Sequence, residues 1–208
     1  GTGDVIFFNN QRLKRLNHPN NAISQLEVGG NRMSYRQGRR NRPCYTINVN
    51  NLVVDSNIAY GITSRGEFFS VDFGNSFTCN RIRTGYNGAA DSELILYDNK
   101  VYIISRAADA PHVYDINSGS VSLLPGGGTY RTLMENMRND SVVRVRTHFD
   151  IDSSGNLIVV RQKPNTSQNT FELFKFDLSN WTGNASETYT LNNRDLANYP
   201  GGLAAHPS

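Results

Sequence analysis

The sequence predicts an all-β fold made of about four copies of one four-stranded antiparallel unit. Short apolar runs alternate with Asp, Asn and Gly turns along the chain, and long helix-forming runs are absent. The clearest unit runs from Glu93 to Ile104 and from His112 to Leu124, with turns at Asp98-Asn99 and at Asn117 to Gly119. Apolar, β-branched and aromatic runs on both sides of such turns are typical of hairpins. A pair of hairpins that recurs about every fifty residues predicts a series of similar four-stranded sheets.

Three complete units follow this pattern, at residues 51–88, 92–125 and 147–192. The first unit, in 1–30, lacks its first strand, and residues 199–208, continued into Gly1, match the corresponding pattern of the fourth unit. A ring joined in this way has no free sheet edge at its seam. The sequence therefore predicts a small β-propeller, a single domain over 1–208 whose C-terminal segment closes the N-terminal blade of four. The alternative is a fragment of a larger propeller, and the outside option is a β-sandwich.

Two insertions interrupt the units, at 31–50 and 126–146. The second contains the one helical pattern, from Thr129 to Arg138, with Leu133, Met134 and Met137 at helical spacing. We expect this helix to cap the ring or to pack under a blade.

The segment Ser70-Val-Asp-Phe-Gly-Asn-Ser-Phe77 resembles the Asp-box, or BNR-like turn, of sialidases and sortilin-type propellers. The resemblance implies a structural turn between the third and fourth strands of a blade, carried by Ser70, Asp72 and Gly74, away from the catalytic face of those families. Residues 199–206 resemble the first strand of NHL-type blades. No single family is identified, because propellers share such turns through common physics.

Composition narrows the classes of function. The chain of 208 residues carries a formal net charge of +3, so a general nucleic-acid binder is not expected. No apolar run approaches the roughly 20 residues that a membrane-spanning helix needs, so we expect no membrane insertion.

The two cysteines, Cys44 and Cys79, either form one disulfide or remain as two unpaired thiols. The richness in Asn, Ser and Thr, with several glycosylation sequons, favours a secreted or cell-surface protein.

No catalytic, metal-binding or cofactor-binding constellation is recognisable. The four histidines lack metal-ligand spacing, and a lactonase-like metal propeller would need Glu, Asn and Asp on its inner strand ends, where Glu93, Asn156 and Asp150 are the residues to consider. The most unusual stretch is an arginine-rich loop that would attract an anion or an acidic partner through guanidinium forks. The residues of this arginine loop are Arg32, Tyr35, Arg36, Arg39, Arg40 and Arg42.

These observations favour a non-enzymatic recognition or adhesion module that binds a protein or a glycan, acidic in character, through its blade loops. No cofactor is expected. The first alternative is a channel-based hydrolase or lyase of the lactonase or sialidase kind, and the second is a structural subunit of an extracellular assembly. The sequence specifies neither the ligand nor the oligomeric state.

Overall fold

The computed structural model describes residues 5–9, 12–17, 22–25, 49–63, 66–72, 78–82, 92–106, 108–139, 147–163 and 170–192, and these form antiparallel strands and one α-helix. In chain order the elements are β1 (Val5–Asn9), β2 (Arg12–Asn17), β3 (Ala22–Gln25), β4 (Val49–Asp55), β5 (Ile58–Thr63), β6 (Phe68–Asp72), β7 (Thr78–Ile82), β8 (Ser92–Tyr97), β9 (Lys100–Ser105), β10 (His112–Asp115), β11 (Ser120–Leu123), α1 (Gly128–Asn139), β12 (Thr147–Ile151), β13 (Asn156–Gln162), β14 (Thr170–Asp177) and β15 (Glu187–Asn192). The predicted all-β character is confirmed.

The strands pair in chain order into four sheets. The first sheet is β1-β2-β3, the second β4-β5-β6-β7, the third β8-β9-β10-β11 and the fourth β12-β13-β14-β15. Every pairing with a described register is antiparallel. The sheets are therefore meanders, as hairpins joined by tight turns should produce.

The chain divides into two compact units, Gly1–Leu96 and Tyr97–Ser208, with the boundary inside β8. The first unit holds the first and second sheets. In the second sheet, a Cβ added at Gly61 would collide with the ring of Phe69, so a larger residue there would force that ring to move. Ile62, Phe68 and Val71 are almost fully buried there and form the core of this sheet.

The second unit holds the fourth sheet, β9 to β11 of the third sheet, and α1. Helix α1 buries Leu133, Met134 and Met137, the three residues whose spacing predicts it. Its Tyr130 meets Phe176 of β14 edge to face, with ring centroids 5.8 Å apart. The helix therefore packs on the fourth sheet, and it lies where the sequence places it.

The loop after β14 holds the N-terminus of α1. The Tyr130 amide donates to the Gly183 carbonyl oxygen at 2.9 Å, and the Trp181 Nε1 donates to the Pro125 carbonyl oxygen at 2.8 Å. Trp181 also packs against both Tyr130 and Phe176, at centroid distances of 5.3 and 5.5 Å. In the described part of the chain, no helix has the length and apolar character needed to cross a bilayer.

Closure of the ring rests on segments 1–4 and 199–208, which lie outside the described residues. The predicted closure and blade number therefore stay predictions.

Candidate functional site

Buried polar side chains of the second unit gather at one end of its sheets. In the described part of that unit, the buried polar residues are Ser105, His112, Thr147, Arg161 and Gln162. They lie at the end of β9, the start of β10, the start of β12 and the end of β13. Because neighbouring strands are antiparallel, these positions share one end of each sheet. This end, called the polar end below, comprises Ser105, Arg106, His112, Thr147, Arg161, Gln162, Lys163 and Glu172.

In the fourth sheet, cross-strand rows lead from an apolar interior to the polar end. Residues directly opposite each other in antiparallel strands point to the same face of the sheet. From the interior outward, the rows are Ile151, Leu157 and Phe176, then Phe149, Val159 and Phe174, then Thr147, Arg161 and Glu172. The outermost row thus places a threonine, an arginine and a glutamate over a layer of aromatic rings.

Arg161 is the centre of that row. Its Nε and Nη2 both donate to Glu172 Oε2, at 3.2 and 3.0 Å, and its guanidinium lies 5.2 Å from the Phe174 ring centroid. Lys163 Nζ lies 3.8 Å from Glu172 Oε1. The Arg161 and Glu172 side chains are only 9% and 15% exposed, so this ion pair is largely withdrawn from water.

The Nη1 of Arg161 is buried and has no hydrogen-bond partner among the described residues. A guanidinium has five N–H donors, two of which lie on this atom. Leaving a buried donor unsatisfied costs about 1–3 kcal/mol, and more for a charged group. The atom would therefore gain from an acceptor brought in by a ligand.

A second arginine reaches the same row from the third sheet. Arg106 follows β9, and its Nη2 donates to the Thr147 carbonyl oxygen at 3.4 Å. Its guanidinium lies 5.9 Å from the Phe149 ring centroid. Two arginines, one from each sheet, therefore stand over aromatic rings near Thr147.

The charge of the polar end is positive. Arg106, Arg161 and Lys163 carry positive charge at neutral pH, and Glu172 carries the negative charge. Burial lowers the pKa of His112, so this imidazole is neutral at pH 7. An anionic or strongly accepting group is therefore the kind of ligand that this end suits.

The opposite end of these sheets is built differently. Its turns are closed by Asp115, Asp152 and Asp177, each of which accepts hydrogen bonds from residues a few positions later. Asp152 Oδ1 accepts from the Ser154 amide at 3.0 Å and from the Asn156 amide at 2.8 Å. This is the Asx-turn mechanism, and it makes these carboxylates part of the turns. We call this end the turn end.

Hydrogen bonding holds the turn carboxylates ionised. The pKa of Asp177 is lowered by the Ser179 hydroxyl and amide, and that of Asp115 by the Ser118 amide and hydroxyl. For Asp152, burial is the largest single influence and would raise the pKa, but hydrogen bonds from Asn156 and Ser154 outweigh it and the pKa is lowered. These carboxylates serve the turns and are poor candidates for proton transfer.

The structure describes only some of the site residues that the sequence predicts. Ser70 and Asp72 lie in β6, the third strand of the second sheet, and residues 73–77 lie outside the described residues, so the predicted Asp-box-like turn stays a prediction. Gly74, the arginine loop and Cys44 lie outside the described residues, so the roles predicted for them stay predictions. The backbone of Cys79 lies in β7.

Two members of the lactonase-like set, Asn156 and Asp150, make short-range hydrogen bonds in the second unit. Asn156 lies at the turn end, where its Nδ2 donates to both carboxylate oxygens of Asp152 at 3.0 Å. Asp150 Oδ1 accepts from the amide of Ile151 at 2.8 Å. Within the residues that the structure describes, no group of three or more His, Cys, Asp or Glu side chains could hold a metal ion.

Sequence reasoning missed Arg106, Arg161, Lys163 and Glu172. One signal was available, because Arg161 and Gln162 continue the apolar run Leu157 to Val160 with polar residues in the same strand. A charged residue inside an otherwise buried strand needs a partner, which the next strand supplies.

Comparison with known proteins identifies the fold and no family. No protein-family model matches the chain, and no curated protein matches it. Among solved structures, it resembles the β-propeller domain of Cps50 (Swd1) from Myceliophteria thermophila, with a TM-score of 0.50 and 12% sequence identity. The match covers 91% of this chain and 55% of that domain.

Two further structures are similar at lower scores. The extracellular domain of a one component system from B. thetaiotaomicron has a TM-score of 0.47 and 9% identity, over 93% of this chain and 27% of that one. YCF48 bound to D1 peptide has a TM-score of 0.44 and 11% identity, over 88% of this chain and 51% of that one. The chain thus spans about half or less of the length of these structures. The meander sheets and the similarity to the Swd1 domain together show that this chain has an all-β, propeller-like fold.

Proposed function

We propose that this protein is a non-enzymatic recognition module that binds an acidic group of a protein or glycan at the polar end of its second unit. The observation that carries the proposal is the buried Arg161, whose Nη1 lacks a partner among the described residues and whose partner Glu172 also lies 3.8 Å from Lys163 Nζ. Arginine recognises carboxylate, sulfate and phosphate oxygens through paired N–H donors.

The sheets suit this role because they hold the cationic side chains on strands. Arg161 lies inside β13, and Arg106 directly follows β9, so backbone pairing fixes where both begin. Sites built on strands keep their geometry better than sites built on loops alone. The loops that start at this end can then contribute selectivity for the partner.

The arginine loop would supply a second attraction for the same class of partner. Its five arginines and Tyr35 lie within twelve residues, a density that would raise the association rate with an acidic surface. We place this partner outside the cell, in keeping with the sequons and the Asn, Ser and Thr richness.

Anisotropy measurements with labelled oligomers test the proposal. We expect the full chain to bind a twelve-residue polyglutamate peptide with an affinity that falls as the salt concentration rises. We expect no binding to a polyglutamine peptide of equal length. A heparin fragment and uncharged dextran form the corresponding pair for a glycan partner. Absence of binding to both anionic oligomers would overturn the proposal.

A pair of lysine variants locates the binding. Lys163→Gln removes a charge at the polar end, and Lys175→Gln removes one from the Lys175 and Glu187 pair at the turn end. We expect K163Q to weaken polyglutamate binding about three-fold, as an exposed charge should, and K175Q to leave it unchanged. Equal effects of the two variants would place the binding elsewhere.

A further inference from the structure

We infer that Arg161 is the anchor of the site and that its Nη1 binds a single carboxylate from an aspartate or glutamate side chain of a protein partner. The inference rests on the proposed function and names the group that is recognised. It starts from Arg161 Nη1, which is buried and has no hydrogen-bond partner among the described residues.

The orientation of the guanidinium leaves one side free. Nε and Nη2 face Glu172 Oε2, which occupies that edge of the planar group. The end-on edge is formed by the second N–H of Nη2 and one N–H of Nη1, and the other N–H of Nη1 points back toward Cδ. An acceptor with two oxygens in one plane matches that edge. The stacking of Arg161 on Phe174 holds the plane in position.

Charge favours a carboxylate over a phosphate. Arg161 and Lys163 share one carboxylate, that of Glu172, so the three groups together carry one positive charge. A ligand on the end-on edge comes close to Glu172, and the repulsion between them grows with the ligand's negative charge. A singly charged group balances these three groups and meets less repulsion from Glu172 than a doubly charged phosphate does.

Burial favours a slender side chain over a sugar acid. Arg161 is 8% exposed and its Nη1 is buried, so only a slender group could be accommodated beside it. The layer beneath the row is made of Phe149, Val159 and Phe174. Aspartate and glutamate carry their carboxylate on a short apolar stem that suits such walls. A uronic or sialic acid would bring hydroxyl groups that need partners of their own.

Arginine side-chain NMR of the full chain tests this assignment. The protein is labelled with ¹³C and ¹⁵N in arginine, and the Arg161 guanidinium signals are connected to its backbone through bonds. The probes are N-acetylglutamate N-methylamide, its glutamine counterpart, sodium galacturonate and inorganic phosphate. We expect the glutamate probe to shift the Arg161 signals saturably and the glutamine probe to leave them unchanged. Unmoved Arg161 signals in glutamate, or stronger shifts with galacturonate or phosphate, would overturn the inference.

A charge-conserving variant gives a second readout. Arg161→Lys keeps the positive charge opposite Glu172 and removes Nη1, so we expect polyglutamate binding to fall about ten-fold. Circular dichroism and thermal unfolding check that the variant folds, and the NMR result on the unmodified chain decides the matter if it does not. Polyglutamate binding with unmoved Arg161 signals would refute this inference alone. Absence of binding of the unmodified chain to both anionic oligomers would refute the proposed function as well.

Discussion

In the second unit, the arginines of the polar end and the turn aspartates of the turn end find their hydrogen-bond partners over very different sequence distances. At the turn end, Asp152 and Asp177 accept hydrogen bonds from residues two to four positions away. At the polar end, Arg161 pairs with Glu172 eleven positions away, and Arg106 reaches Thr147 across 41 positions. Local pairing completes the turns that build the sheets. Long-range pairing brings together charged groups from two sheets and leaves Arg161 Nη1 without a hydrogen-bond partner among the described residues.

The two ends also differ in their exposure to water. The Arg161 and Glu172 side chains are almost withdrawn from solvent, whereas the Glu187 side chain of the Lys175 pair is 43% exposed. Buried charges depend strongly on their partners, and exposed pairs contribute little to stability. Substitutions that remove one partner at each end should therefore separate the two regions.

The largest effect is expected from Glu172→Gln. This variant keeps the shape of the side chain and leaves Arg161 and Lys163 beside a neutral amide, which should lower the free energy of unfolding by about 3 kcal/mol. Glu187→Gln, the matched change at the turn end, should leave it unchanged within error. Urea denaturation of both variants measures the difference. Equal losses would show that the polar end is no more dependent on its ion pair than the turn end.

A smaller effect is expected from glycine substitutions within the turn end. Gly155 has a φ of 80°, and a Cβ there would lie 3.0 Å from the Tyr97 hydroxyl oxygen. Gly119 has a φ of 68° and open space around it. We expect Gly155→Ala to cost about 2 kcal/mol and Gly119→Ala about 1 kcal/mol. Chemical denaturation can resolve a difference of this size between the two variants. Equal losses of stability would mean that the Tyr97 side chain moves away from the new Cβ freely.

The smallest effect is expected from acid. The pKa of Asp152 is lower in the folded chain than in the unfolded chain, where it lies near its ordinary value of about 3.9. Such a carboxylate contributes stability above that value, and the contribution is lost as the pH falls through the folded pKa. Asp152→Asn keeps the turn and removes the titration, so its unfolding midpoint in urea should decline less between pH 5 and pH 3 than that of the parent chain. Parallel declines would show that this turn contributes nothing to acid sensitivity.

Several elements of the fold are predictable because their causes are local. Asp98 and Asn99 both have positive φ, of 47° and 55°, as the predicted two-residue hairpin turn requires. Gly119 has positive φ in the turn predicted at Asn117 to Gly119. Helix α1 follows its apolar spacing, and all three marked residues are buried. In each case, the residues that predict the turn or helix lie within a few positions of it.

The polar end was not predictable by the same reasoning. In the sequence, Arg161 and Glu172 look like ordinary charged residues of two separate strands. Only the register of β13 with β14 places them directly opposite each other. Arg106 follows an apolar strand, and nothing near it in the sequence indicates Thr147. The arginine loop stands out in the sequence by its charge density alone. Charge density indicates that a segment would attract anions, but it does not show which side chains become buried.

The amino-acid sequence by itself determined the strands, the turns, the helix and the repeated meander, because hairpin turns and apolar periodicity act over short distances. Only the tertiary structure decided where the buried charges meet, because that depends on strand register and on the packing of the third sheet against the fourth. A candidate binding site made of Arg106, Arg161, Lys163 and Glu172 therefore belongs to the folded chain. Its members become neighbours only when the sheets that carry them are assembled.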